Sequence, residues 1–485
     1  MTKDNLVNKA TKGLAWSYLS TATNAFFNIG FAAIMARLLA PSAFGLFAMA
    51  QVVMRFGQYF SQMGIGSALV QKPELSKRDI GTAWLIILSA SAAMFCIIWA
   101  IAPFAALFFK SDGLTPILRG AAVALILQAA ASIPLSILRR DMDFKVYMVI
   151  EVSSYVLGYG TVGILCALNN LGVWSLVWAQ IGQASVQLVV ACLVVRCPIV
   201  PCWDKAGAKQ LFSFGGKVSI ISFLEYLSGS LDTLLAGRFF GDMSLGYYNR
   251  GKMVSMLPLY SVSNSLGRVL FPLYSRLNDD EDGQREIFRK GFFLLCTLLL
   301  PAAAGISALS PMIVRILLGP NWDATVPVVG ICAFAMVVNL LANPLAILCE
   351  ARALLKRKIA IQFVRIITML IFFWAFMGHG LVGIAYAYLV CQIFVFISYL
   401  VALREVVSPW VILSATLPGV VIALSASLGS YSATLLENLP LHAHWGLQVV
   451  GFVLCAAFSL FLPPLKNTRC DLINLAKNGF HRLKT

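Results

Sequence analysis

Two ionisable residues stand in stretches that otherwise read as membrane spans. Arg55 lies near the middle of AFGLFAMAQVVMRFGQYFSQMGIGSALVQ (43–71), and Glu225 lies within a second apolar stretch, 210–236. A charge at the centre of a bilayer costs about 2.5–3.5 kcal/mol even on lenient insertion scales. These two side chains therefore predict either a water-filled cavity or a buried structural ion pair, and the sequence leaves both interpretations open.

Depth along the spans selects the other candidates. Counted from the outer ends of their stretches, Arg55 and Glu225 have the same depth, near the midplane. On the stretch that precedes Arg55, two asparagines follow helical spacing. We assign the following residues to a substrate-binding cavity: Arg55, Arg250, Lys252, Glu225, Asp232, Asn24 and Asn28. Residues near the ends of spans are assigned as gate candidates, namely Arg37, Arg238, Glu151 and Arg365; for the first two, snorkelling to the interface is the alternative.

These residues suit binding better than bond-making. The chain contains no G-x-x-x-x-G-K-[ST] motif, so no built-in ATPase is expected. No nucleophile, zinc-ligand or paired-carboxylate pattern stands out, and the eleven cysteines are scattered as small apolar residues without histidine partners. We therefore expect neither an enzyme nor a cofactor or metal. Glu225 and Asp232 could titrate, but the sequence does not choose between H⁺ and Na⁺ as a coupling ion.

Composition shows what positions these residues. Of 485 residues, 59% are hydrophobic and only 12% are charged, and the mean hydropathy is +0.83. Soluble domains are about a quarter charged, so the chain is predicted to be an all-α polytopic membrane protein. A bilayer core of about 30 Å needs about 20 apolar residues per helix. Fourteen such stretches are found, from 12–36 to 446–463.

The basic residues predict the orientation. With a cytoplasmic N-terminus, 29 of the 37 Lys and Arg fall on the inner side and 7 on the outer side, and Arg55 is the remaining one. This positive-inside asymmetry places both termini in the cytoplasm. It also accounts for most of the net charge of +16, and a nucleic-acid partner is not expected because no soluble basic domain is present. Attraction to anionic lipid is the simpler reason for the charge.

The chain also repeats itself. ARLLAPSAFGLFAMA (36–50) matches GRFFGDMSLGYYNRG (237–251), and IPLSIL (133–138) matches NPLAIL (343–348). Two matches in register predict two parallel six-helix repeats with a substrate site between them. The predicted organisation is an N-terminal lobe at 1–205, a C-terminal lobe at 206–405, and two extra transmembrane helices with a basic cytoplasmic tail at 406–485.

The opening KGLAWSYLS (12–20) followed by ARLLAPSAFGLFAMA resembles the Wzx-type polysaccharide flippases of the MOP exporter superfamily, especially the colanic acid and exopolysaccharide exporters. The resemblance covers essentially the whole chain. It implies a two-lobed bundle in the bacterial inner membrane that works by alternating access. Its implied cargo is an oligosaccharide on undecaprenyl diphosphate, moved to the periplasmic leaflet for exopolysaccharide or lipopolysaccharide synthesis, with a polysaccharide polymerase and export machinery as further partners.

Two other classes remain open at this point. A drug or cation antiporter of the related MATE branch shares twelve of these helices, but cationic drugs favour carboxylates whereas a diphosphate favours Arg and Lys. The outer half of the predicted cavity has a slight cationic excess, and the two extra spans also favour the flippase. A scaffold for a polysaccharide synthesis complex is the third class.

Overall fold

The computed structural model describes residues 23–62, 64–72, 75–195, 203–276, 281–352, 354–405, 409–434 and 441–459. Every regular element in these ranges is a helix, which confirms the all-α class. Eight helical stretches of the described residues are long and apolar enough to cross a membrane. The count of fourteen spans and the repeat layout remain predictions. The predicted cytoplasmic termini lie outside the described residues.

The chain divides into two compact units, Met1–Asn249 with Leu317–Asn321, and Arg250–Ile316 with Trp322–Thr485. The predicted boundaries at 205 and 405 stay a prediction. The helices of the first unit are α1 (23–38), α2 (Pro41–Gln62), α3 (Ile65–Gln71), α4 (Lys77–Phe109), α5 (Leu114–Arg140), α6 (Phe144–Ser153), a π-helix (Ser154–Thr161), α7 (Val162–Leu168), α8 (Trp174–Val195) and the first part of α9 (Lys205–Arg276).

The second unit holds the rest of α9 and the helices that follow. They are α10 (Glu281–Ala308), α11 (Ser310–Leu317), a 3₁₀ turn (Pro320–Thr325), α12 (Val326–Ala351), α13 (Leu355–Phe376), a 3₁₀ turn (Met377–His379), α14 (Gly380–Ala402), α15 (Pro409–Thr434) and α16 (Leu441–Ser459). Leu317 at the end of α11 and residues 320–321 at the start of the first 3₁₀ turn belong to the first unit. Pro134 and Pro344 lie inside α5 and α12.

Small residues let the helices of each unit approach closely. In the second unit, a Cβ atom added to Gly429 would lie 2.3 Å from the carbonyl oxygen of Gly451, and one added to Gly451 would lie 2.3 Å from that of Gly429. In the first unit, a Cβ on Gly158 of the π-helix would lie 2.4 Å from the Cα of Gln183. Lipid offers helices no hydrophobic drive to associate, so packing of this kind stabilises membrane bundles.

Polar caps fix the helix ends of the first unit at the predicted cytoplasmic side. Ser76 and Asp79 form a capping box at the start of α4, and the Nζ of Lys72 lies 2.6 Å from the Asp79 carboxylate. The guanidinium of Arg140 donates to the carbonyl oxygens of Leu69 and Lys72, which are left open at the end of α3. These contacts anchor the short α3 to its neighbours.

Two corners in the chain create a close backbone contact in the first unit. One separates α1 from α2 and ends at Pro41, which starts α2. The other interrupts α9 at Gly241, whose φ of 77° and ψ of −177° are open to glycine and strained for other residues. A Cβ on Gly45 would lie 1.7 Å from the carbonyl oxygen of Asp242, and a Cβ on Gly246 would lie 1.9 Å from that of Pro41.

This crossing joins residues that the sequence repeat aligns. Gly45 corresponds to Gly246, and Pro41 corresponds to Asp242. The helices that follow the two corners therefore touch backbone to backbone near their first turns, with no room for a side chain at either glycine. A cavity of about 340 Å³ lies beside the crossing, and Ser42, Asn170 and Asp242 contribute its polar lining.

Candidate functional site

Aromatic side chains bring the segment around Arg55 against the segment around Glu225. The ring of Phe223 packs on Phe56 and Phe60, with centroid distances of 5.2 and 5.3 Å. One turn further along α9, the hydroxyl of Tyr226 donates to the carbonyl oxygen of Val52 at 2.9 Å. The two segments that the sequence placed at one depth thus lie side by side in the first unit.

Arg55 itself is exposed. Its charge is close enough to act on the Tyr226 hydroxyl, but the ion pairs formed between described residues do not include it. Arg55 and Glu225 therefore do not pair with each other here, although their helices are in contact. Of the two interpretations open at the level of sequence, this geometry agrees with an accessible cation better than with a closed structural pair.

A second polar group joins α1 to α6 and the π-helix. We call it the polar seam, and its members are Asn24, Asn28, Tyr147, Glu151, Tyr155 and Tyr159. The amide of Asn24 donates to the Glu151 carboxylate at 3.4 Å, and the hydroxyl of Tyr147 donates to the same carboxylate at 3.3 Å. The hydroxyl of Tyr155 donates to the Asn28 side-chain oxygen at 2.7 Å. The structure thus brings two predicted cavity residues together with a predicted gate residue.

The π-helix positions the aromatic part of this seam. Its backbone N–H groups bond to carbonyl oxygens five residues earlier, which widens the turn. The rings of Tyr155 and Tyr159 stack 5.2 Å apart and within 10° of parallel. Phe31 of α1 meets Tyr155 edge-on at 5.4 Å. At the other end of the seam, the guanidinium of Arg139 donates to the Tyr147 hydroxyl at 2.9 Å.

The outer cavity candidates occupy different surroundings. Asp232 is only 2% exposed and accepts a hydrogen bond of 2.6 Å from the Tyr248 hydroxyl, so it is a core carboxylate of the first unit. In the second unit, the guanidinium of Arg250 contacts the Met253 sulfur at 3.0 Å. The Nζ of Lys252 lies 4.2 Å from the ring centre of Tyr388, a cation–π contact.

The gate candidates also lie in different surroundings. Arg37 is exposed near the end of α1, and Arg238 donates to the carbonyl oxygen of Phe108 at 2.7 Å while lying over its ring. Arg365 is on α13 in the second unit, where its buried Nε has no hydrogen-bond partner among the described residues. Glu151 joins other predicted site residues through the polar seam.

Sequence reasoning missed the tyrosines of both sites. Tyr226 bridges α9 to α2, and three tyrosines complete the polar seam. A signal for the seam was present, because Tyr147, Glu151, Tyr155 and Tyr159 follow one another at intervals of four residues in a predicted span. Their partners on α1 were recognised as polar, but nothing in the sequence paired one span with the other.

A family model described as "Polysaccharide biosynthesis protein" matches residues 34–327, more than half of the chain. The chain belongs to this polysaccharide biosynthesis protein family. The match includes Arg55, Glu225 and most of the polar seam. It confirms the resemblance to polysaccharide biosynthesis proteins drawn from the sequence.

Two relatives of this polysaccharide biosynthesis family span most of the chain. An uncharacterised membrane protein in the cps region of Klebsiella pneumoniae is 24% identical over 405 residues, covering 82% of this chain and 83% of that protein. The lipopolysaccharide biosynthesis protein WzxC of Escherichia coli strain K12 is 22% identical over 413 residues, covering 83% of this chain and 82% of WzxC.

Solved structures share the fold of this family member. The lipid II flippase MurJ in an inward closed conformation superposes with a TM-score of 0.73 at 13% identity, covering 92% of this chain and 98% of the other. A multidrug resistance MATE transporter of the MOP superfamily, in an inward-facing conformation, superposes with a TM-score of 0.60 at 13% identity. The match covers 78% of this chain and 94% of that transporter. The chain therefore shares the helical fold of these two proteins.

Proposed function

We propose that this chain is a flippase that carries an oligosaccharide on undecaprenyl diphosphate from the cytoplasmic to the periplasmic leaflet of the bacterial inner membrane. Membership of the polysaccharide biosynthesis family supports a role in making a surface polysaccharide. The name of WzxC points to lipopolysaccharide biosynthesis, and the fold of MurJ belongs to a protein that moves lipid II. All three agree with a lipid-linked sugar precursor as the cargo.

Arg55 is the observation that carries the proposal. It is an exposed guanidinium on a membrane helix, and no described carboxylate pairs with it. Such a charge is stable only if water or a ligand reaches it. A diphosphate supplies oxygen atoms in the geometry that a guanidinium binds through two parallel hydrogen bonds. We assign Arg55 to the diphosphate of the cargo, with Glu225 on the neighbouring helix within the same polar region.

Alternating access supplies the path for this cargo. The glycan and diphosphate are polar and need an aqueous route, whereas the polyprenyl tail can stay in the bilayer. We propose H⁺ or Na⁺ as the coupling ion for this movement. The chain performs no bond-making step in this scheme. A polymerase that consumes the flipped repeat unit is the expected downstream partner.

The test is complementation in the native host. Deletion of the chain should trap the lipid-linked oligosaccharide in the cytoplasmic leaflet and abolish one surface polysaccharide. Arg55→Gln should fail to restore export at normal protein abundance, whereas Arg55→Lys should restore part of it because charge is kept and bidentate binding is lost. Arg119→Gln is the matched control, since Arg119 stacks on Trp99 at 4.1 Å and is not assigned to cargo.

Two outcomes would overturn the proposal. Normal polymer export in the deletion strain, together with altered resistance to cationic drugs, would instead indicate an antiporter. Full export by Arg55→Gln would remove the diphosphate assignment even if the deletion strain lost its polysaccharide.

A further inference from the structure

The part of the polar seam on α6 and the π-helix forms a stripe of side chains four residues apart. Side chains four apart on an α-helix drift by about 40° at each step, because 3.6 residues make a turn. The wider π turn between Ser154 and Thr161 rotates less per residue and counteracts this drift. Tyr147, Glu151 and Tyr155 are therefore followed by Tyr159 on the same side, with its ring stacked on that of Tyr155.

The chemistry of the seam matches a sugar. Aromatic faces stack on the apolar face of a pyranose ring, while amide and carboxylate groups exchange hydrogen bonds with its hydroxyls. The seam offers both kinds of group: two stacked tyrosine rings, two asparagine amides and one carboxylate. Each of these side chains is half-buried and so retains accessible surface.

Two hydrogen bonds of Glu151 are long and suited to exchange. Its contacts with Asn24 and Tyr147, at 3.4 and 3.3 Å, lie at the long edge of the hydrogen-bond range, whereas the Tyr155–Asn28 bond is 2.7 Å. Long bonds are weak, so replacing them with a sugar hydroxyl costs little. The short bond keeps Tyr155 fixed while the carboxylate end changes partners.

We infer that the polar seam is a carbohydrate-recognition surface that binds sugar rings of the cargo and discriminates between glycans. This inference rests on the proposed function and extends it: Arg55 is assigned to the diphosphate that every such cargo shares, and the seam to the part that differs. Stacking on Tyr155 and Tyr159 orients the ring, and Glu151 with the asparagines reads its hydroxyls.

Cysteine protection tests the inference. Single cysteines replace Tyr159, or Leu157 as the matched control, in a chain whose native cysteines are removed; Leu157 lies on the same π-helix and is 58% exposed. Maleimide labelling is compared between cells that accumulate the lipid-linked repeat unit, because the polymerase is deleted, and cells that lack the first sugar transferase. Labelling of Tyr159→Cys should slow several-fold only when the glycan is present, and labelling of Leu157→Cys should be the same in both strains.

A second set of variants covers the case in which the cysteine at 159 itself prevents binding. Tyr159→Phe keeps the ring and should keep export, whereas Tyr159→Leu and Glu151→Gln should reduce export at unchanged abundance. Equal labelling in both strains, or full export by Tyr159→Leu, would show that the seam only joins helices. Failure of the unmodified chain to restore export to the deletion strain would instead contradict the proposed function. The two failures are therefore distinguishable.

Discussion

Alanine at Gly45 should destabilise the first unit, because the added methyl group has no space. Its Cβ would lie 1.7 Å from the carbonyl oxygen of Asp242 and 2.9 Å from the amide nitrogen of Gly246. Non-bonded atoms normally rest about 3.5–4.0 Å apart, so the two helices would have to separate by about 2 Å. The obstacle is backbone, which cannot rotate away as a side chain can.

The magnitude follows from two opposing terms. Overpacking in a close-packed interior costs about 1–3 kcal/mol, and more where the neighbour is rigid. Replacing a helical glycine by alanine returns about 0.5–1 kcal/mol through the unfolded chain. Because the neighbour is rigid backbone, the upper overpacking value applies, and the net expectation for Gly45→Ala is a loss of about 2–2.5 kcal/mol. Each kcal/mol corresponds to about 2–4 °C of Tm in a domain of 150–250 residues.

The assay is thermal unfolding of the detergent-purified protein, with two matched controls. A Cβ on Gly30 or Gly229 would meet nothing within 4 Å, so Gly30→Ala and Gly229→Ala should be neutral or slightly stabilising. Gly246→Ala should behave like Gly45→Ala, since its Cβ would lie 1.9 Å from the Pro41 carbonyl oxygen. If Gly45→Ala unfolds at the same temperature as Gly30→Ala, the described crossing is not present in the membrane protein.

Three further outcomes are expected. Gly160→Ala should lower abundance, because its Cβ would lie 1.7 Å from the ring of Phe31, and Phe31→Ala should restore part of the loss in the double mutant. Tyr248→Phe should reduce thermal stability by about 1–3 kcal/mol, because it leaves the buried Asp232 carboxylate without this donor; equal Tm values would contradict this. An alkaline phosphatase fusion after Thr485 should be inactive, and activity there would refute a cytoplasmic C-terminus.

The all-helical fold was predictable because hydropathy directly indicates which stretches of the chain lie in a bilayer. Long apolar stretches must form helices in lipid, where each backbone polar group needs an internal partner. The sequence repeat aligns Gly45 with Gly246, and these two glycines are in contact in the structure. Span counts are less accessible, because helix ends depend on neighbours and not only on local composition.

The partners of the candidate site residues could not be predicted from the sequence. Distance along a helix placed Arg55 and Glu225 at one level, and their segments do meet. The same reasoning placed Asp232 in a cavity, whereas the structure surrounds it closely and gives it Tyr248. Whether a carboxylate faces water or a tyrosine depends on which face of its helix turns inward, and a mostly apolar helix carries little sequence information about that choice.

The contact between the two corners has the form of an isologous interface. Gly45 meets the carbonyl of Asp242 while Gly246 meets that of Pro41, so each side repeats the other with the roles exchanged. Such self-complementary symmetry ordinarily relates two identical subunits, but here two parts of one chain supply it. The opposing atom is a backbone oxygen in both halves, so the contact does not depend on the side chains at 41 and 242. These side chains can differ, and they are proline and aspartate. Gly45 and Gly246 cannot vary in the same way, because the symmetric contact requires that neither position carries a side chain.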